Sequence, residues 1–145
     1  MLRIVFFDLD GTLLSPDHAT VSPRNRAALF ALREKGVLLA VATGRSFSFL
    51  PPGITSLPFD YLMTANGGDI LARGRGSIHT EHIPPEDAAF AWDILKGLGL
   101  FVQWYTGNQV GVQAADYARL EELPMPGWHR EFLKEKKTPV FPAAE

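Results

Sequence analysis

Ile4-Val5-Phe6-Phe7-Asp8-Leu9-Asp10-Gly11-Thr12-Leu13-Leu14 decides how the rest of this chain is read. Its first four residues are apolar without interruption and rich in β-branched and aromatic side chains. That composition predicts a strand buried on both faces, in the middle of a parallel sheet. The run stops at Asp8 and Asp10, two carboxylates flanking Leu9. Unpaired charge at a buried strand end costs on the order of several kcal/mol unless a cation, a cradle of hydrogen bonds or solvent compensates it. Gly11 then permits a tight exit that brings backbone amides close to a ligand. Strand end, paired acids, glycine turn and hydroxyl together point to a site for a hard cation and a phosphate.

Outward from this stretch the chain alternates strand and helix. Ser22-Pro23 places an N-cap side chain before a proline at the first helical position. Ala27, Ala28, Leu29, Ala31 and Leu32 supply the apolar positions of a helix that Gly36 ends. Residues 37–42 form a second all-apolar strand, closed by Thr43-Gly44-Arg45. Strand, helix and strand at this spacing predict a right-handed crossover and a parallel sheet. One helical turn is expected over 46–50, before Pro51-Pro52-Gly53, and a third strand over 61–65. Asn66-Gly67-Gly68 reads as a turn, followed by a hairpin of 69–73 and 77–82.

Pro84-Pro85 marks a boundary, so residues 1–82 and 83–145 are expected to be separate domains. An amphipathic helix is expected over 86–98, with Ala89, Trp92, Leu95 and Leu98 at helical spacing. Residues 100–105 and 109–114 alternate as an antiparallel hairpin, and 115–123 read as a short helix. Residues 128–137 have a weaker helical pattern, and 138–145 read as either a strand start or a tail.

Composition narrows the function. The 145 residues suffice for one ordinary domain or two small ones, and a net charge of −2 with mixed signs argues against nucleic-acid or membrane-surface binding. With no cysteine there is neither a disulfide framework nor a thiolate site. The apolar start is cut by Asp8, unlike a signal peptide, and the apolar run at 37–42 is far below the roughly 20 residues that cross a bilayer. A cytoplasmic protein that binds neither nucleic acid nor membrane is the expectation.

Asp8-Leu9-Asp10-Gly11-Thr12-Leu13-Leu14 resembles the first signature of the haloacid dehalogenase (HAD) superfamily. The spacing to Thr43-Gly44-Arg45, the Ala65-Asn66-Gly67-Gly68 turn and the hairpin and helix after it are similar to the Cof-type branch. Members of that branch carry a cap domain after the third core strand. The resemblance covers about residues 1–125. It implies an α/β fold: a Rossmann-like parallel sheet forming an incomplete core, with part of an inserted α+β cap. It also implies Mg²⁺-dependent hydrolysis of a small phosphorylated metabolite, such as a sugar phosphate, through an aspartyl-phosphate.

Carried over by position, Asp8 is the nucleophile and Asp10 the general acid/base. Both are implied at the metal, Asp10 through its backbone carbonyl. A carboxylate is a weak nucleophile, so phosphorus must be made electrophilic and held in line. The Thr43 hydroxyl and Gly44 amide would hold phosphate oxygens. Arg45 either contacts substrate or supports its loop, and Asn66 lines the site. Blander readings stand beside these. An Asp pair also makes Asx-type turns, Thr-Gly is a common turn, and Asn-Gly is a frequent hairpin turn. His79 and His82 fall on opposite faces of a strand, which suits no shared metal. Trp92, Trp104 and Trp128 read as packing residues, and Lys134-Glu135-Lys136-Lys137 as a solvated face.

The family's third signature, a lysine, and its fourth, an acidic Gly-Asp segment, have no counterpart here. Without the strand that carries the fourth, residues 4–7 would be an exposed hydrophobic edge. The expectation is therefore either a piece of a longer chain or a second chain covering that edge, specifically a strand-exchanged homodimer. Two other functions stay open: a non-catalytic remnant that binds or self-associates, and a phosphomutase.

Overall fold

The structure is a computed structural model that describes residues 3–106, 109–135 and 140–141. The chain divides into two compact units, residues 1–81 and 82–145. In the first, β1 (Ile4–Phe7) is followed by α1 (Pro23–Glu34), β2 (Leu38–Ala42), β3 (Tyr61–Thr64), β4 (Asp69–Ala72) and β5 (Gly76–Thr80). The Ser22 hydroxyl accepts from the Asn25 amide and starts α1, with Pro23 at the first helical position.

These strands form one five-stranded sheet in the order β1-β2-β3-β4-β5. β1, β2 and β3 run parallel, whereas β4 and β5 return antiparallel through the hairpin after Gly68, so the sheet is mixed. Register pairs Phe7 with Val41 and Ala42 with Met63, which brings the carboxyl ends of β1, β2 and β3 to one edge.

One face of the sheet carries the core. Leu39 and Val41 of β2 are fully buried with Leu29 of α1 and Ile54, Leu57 and Phe59 of the β2–β3 connection. Burying side chains of this size is worth about 1.5–3 kcal/mol each. Phe7 packs on the same cluster, its ring 6.2 Å from that of Phe59.

Composition alone reads β1 as a central strand, whereas the missing fourth signature leaves it an exposed edge, and the second expectation is the one met. Among the described strands β1 is an edge strand, with Ile4, Val5 and Phe6 exposed by 38%, 37% and 55%. A continuous apolar run specifies a strand that wants cover on both faces, but it does not say which chain provides that cover. The turn expected over 46–50 is a single 3₁₀ turn, Phe47–Phe49.

In the second unit, α2 (Pro85–Gly97) precedes β6 (Gln103–Thr106), β7 (Gln109–Gln113), α3 (Ala114–Ala118), α4 (Gly127–Glu135) and β8 (Val140–Phe141). β6 and β7 pair antiparallel, and β8 joins β7 in parallel. Trp92 of α2 packs on Trp104 of β6 at 5.8 Å between rings, as packing residues should. Leu98, expected on the inward stripe of α2, is instead exposed together with Phe90 and Ile94. Lys134 pairs with Glu121, while Lys136 and Lys137 lie outside the described residues. No helix among the described residues is long and apolar enough to cross a membrane.

Candidate active site

At the end of β1 the backbone stays extended at Asp8 and then makes one wide turn over Leu9–Leu13, closed by the Leu14 amide donating to the Leu9 carbonyl at 2.9 Å. Gly11 takes φ 73° inside this turn, a conformation that favours glycine. Leu9, Leu13 and Leu14 are buried anchors, so Asp8, Asp10 and Thr12 are left at the surface. The cost of buried charge therefore does not arise here, because solvent reaches both acids. The Asp8 side chain caps nothing in the turn that follows it.

Asp10 is held firmly. Arg45 donates to it from Nε at 2.8 Å and from Nη2 at 2.6 Å, one bond to each carboxylate oxygen. This two-pronged geometry is the strong form of an arginine–carboxylate contact. His18 Nδ1 lies 3.0 Å from Asp10 Oδ1. Because an ionised carboxylate only accepts, Nδ1 carries the proton in that bond. The Arg45 hydrogen bond holds the Asp10 carboxyl below the usual carboxylate range, partial burial opposes it, and His18 adds to the lowering. Two further Arg45 contacts are also to protein: Nη1 donates to the Phe49 carbonyl at 3.1 Å and Nη2 to the His18 carbonyl at 3.2 Å.

The loops after β2 and β3 are stitched together beside this cluster. The Thr43 amide donates to the Met63 carbonyl, the Asn66 amide to the Thr43 carbonyl, and the Ala65 amide to the Arg45 carbonyl. The Thr43 hydroxyl, in a residue 6% exposed, accepts from the Arg45 amide at 3.2 Å. Ala65, Asn66 and Gly67 all take positive φ, 50°, 56° and 94°. For alanine that costs about 1–2 kcal/mol. The strained turn carries the Asn66 side chain over Gly44, where a Cβ would lie 3.0 Å from Asn66 Oδ1.

The structure thus brings Asp10, Thr43, Gly44, Arg45 and Asn66 together at one strand edge, with Asp8 at the end of the adjacent strand. His18 was not singled out by sequence. It sits in the Ser15-Pro16-Asp17-His18 bend, and the signal that could have found it is an imidazole eight residues after an acid that needs orienting.

The fold and this strand edge define a class first: an α/β protein of Rossmann type, with an acid-bearing loop at the carboxyl edge of its parallel strands, where such sheets bind ligands. A family profile described as haloacid dehalogenase-like hydrolase matches residues 5–139, and the chain belongs to that family. It is 29% identical to the HMP-PP phosphatase of Escherichia fergusonii over 147 aligned positions, 97% of this chain and 52% of that protein. A haloacid dehalogenase-like hydrolase from B. subtilis superposes with a TM-score of 0.73 at 20% identity, covering 98% of this chain and 54% of the other. A HAD subclass IIB sugar phosphatase gives 0.72 at 21% identity over 97% and 52% of the two chains. The chain spans about half the length of the relatives it matches.

As to a metal, the described residues contain no cluster of three or more His, Cys, Asp or Glu groups. The exposed Asp8 carboxylate and the Asp10 carbonyl are hard oxygens, the donor type that Mg²⁺ takes, usually as one or two carboxylates with waters and phosphate oxygens. The residues present fit such an ion in kind and would supply part of its shell.

Proposed function

We propose that the chain carries the nucleophile half of a phosphohydrolase site acting on a small phosphorylated metabolite. The observation that carries this reading is the contrast between two acids on one turn. Asp8 is exposed, and its side chain caps nothing in the turn. Asp10, two residues on, is locked by Arg45 and His18. One carboxylate is presented for attack and the other is oriented for proton work.

An Asp8 oxygen attacks phosphorus and the bond to the leaving oxygen breaks, giving an acyl phosphate on Asp8. In its protonated form Asp10 gives its proton to that oxygen and becomes the carboxylate that Arg45 and His18 hold. It then takes a proton from the water that hydrolyses the acyl phosphate. The Thr43 hydroxyl and Gly44 amide hold phosphoryl oxygens, and Asn66, lying over Gly44, lines that side of the site. Mg²⁺, held by the Asp8 carboxylate and the Asp10 carbonyl, would supply neutralisation of phosphate charge when bound. The relatives named HMP-PP phosphatase and sugar phosphatase support a small phosphorylated substrate.

The test is hydrolysis of p-nitrophenyl phosphate with Mg²⁺, comparing the wild-type chain with Asp8→Asn. We expect turnover that this substitution abolishes. Equal rates in the two proteins would remove the reading, and a requirement for a bisphosphate activator would favour a phosphomutase. A second reading, self-association through β1, rests on the exposure of Ile4, Val5 and Phe6. In it a second copy covers the edge as a homodimer, and the chain acts as a binding module.

A further inference from the structure

Residues 15–20 form a small flap between the turn after β1 and the start of α1. Its base is closed by a bridge between Leu14 and Val21 and by the Ser15 amide donating to the Thr20 carbonyl. Its tip is pinned by Asp17, which accepts from the Ala19 and Thr20 amides at 3.0 Å each and from the Thr20 hydroxyl at 2.6 Å. This turn leaves His18 at φ 56°, a left-handed conformation in which histidine is enriched among non-glycine residues. From there its ring reaches one Asp10 oxygen and its carbonyl receives an Arg45 N–H.

Arg45 completes the arrangement, sharing Asp10 Oδ1 with His18 and taking Oδ2 as well. The Arg45 side chain, only 10% exposed, donates from its guanidinium to Asp10 and to the His18 and Phe49 carbonyls. An arginine that holds a phosphate needs its fork directed at the anion. Here the fork is directed at a carboxylate of the same chain.

We propose that Arg45 and His18 are positioning residues for Asp10, and that Arg45 serves this carboxylate and not the substrate phosphate. The inference deepens the hydrolase reading and rests on it for the role of Asp10. The flap, through Asp17, sets where His18 stands, so the orientation of the acid/base residue depends on a loop well outside the sheet.

Kinetics of the 145-residue chain on p-nitrophenyl phosphate with Mg²⁺ separate the two roles of Arg45. Arg45→Ala and His18→Ala should each lower kcat by about tenfold to a hundredfold, with KM within about twofold. That loss is at or below the lower end of what proton transfer itself contributes, because Asp10 is misplaced and not removed. His18→Asn keeps a short N–H donor and suits the left-handed backbone, so it should recover most of the loss. Asp17→Ala should resemble His18→Ala. A rise in KM with kcat preserved in Arg45→Ala would overturn the proposal, as would His18→Asn behaving like His18→Ala.

A second measurement does not need turnover. The Arg45 Nε–H cross-peak in a ¹⁵N correlation spectrum should exchange slowly with solvent in wild type and in Asp8→Asn, and quickly in Asp10→Asn. Fast exchange in the wild type would overturn the proposal outright. Slow exchange without any Asp8-dependent hydrolysis would remove the hydrolase reading and leave the Arg45–Asp10 clamp standing.

Discussion

At the residue scale, the two acids of the first turn share a local sequence and have different surroundings. Asp10 lies below the ordinary carboxylate range because Arg45 hydrogen-bonds its ionised form. Asp17 goes further, to about 2, because Thr20 and two backbone amides all donate to it. Both shifts are downward, so the sign is the same for each. The stabilisation is complete above the unfolded value of 3.8 and is lost as pH falls through the folded value. For Asp17 the window runs from about 4 down to about 2. Carboxyl NMR titration should find its midpoint near 2 and find Thr20→Val moving it back towards 3.8. An unshifted midpoint in the wild type would mean that the flap tip is not held as described.

At the element scale, what holds β2 in place is Asp60, at the end of the β2–β3 connection. Its carboxylate accepts from Arg33 of α1 through two nitrogens, at 2.8 Å each, and from the Leu39 amide at 2.9 Å. Its own amide donates to the Leu39 carbonyl. One side chain thus ties helix, strand and connection together at the sheet edge away from the candidate site. Hydrogen bonds to charged groups contribute about 1.5–3 kcal/mol each. Asp60→Ala should therefore destabilise the chain by about 2 kcal/mol in urea unfolding, with Asp60→Asn losing less. A change below about 0.5 kcal/mol, the range of ordinary surface substitutions, would show that the tie is dispensable.

At the scale of the whole molecule, the open flank of β1 dominates. Ile4 and Phe6 point to one face of the sheet and Val5 to the other, and all three are exposed, so the unpaired backbone lies beside apolar side chains on both faces. Such an edge is a template for strand pairing. Light scattering on the 145-residue chain should find a concentration-dependent species heavier than 16.0 kDa, and Phe6→Lys should return it towards that mass. A monomer at every concentration would remove the self-association reading while leaving the Asp8 chemistry to its own test.

Element order and the identity of the turn residues were legible in the amino-acid sequence. Hydrophobic periodicity, Ser22-Pro23 and the glycine turns are local signals, and local signals place helices and strands to within a few residues. The parallel pairing of β1 with β2 followed from the spacing, and with it the strand edge where Asp8 and Thr43 emerge. The sequence did not say that Asp10 would be gripped by a histidine eight residues away and an arginine 35 away, because those contacts exist only once the crossover closes. Nor did it say that both acids would stand in solvent, since the buried leucines that lift them are core residues only in the assembled fold. Whether an apolar strand is central or an edge is likewise a property of its neighbours. Hydrophobicity states a need for cover, and tertiary structure decides whether the need is met.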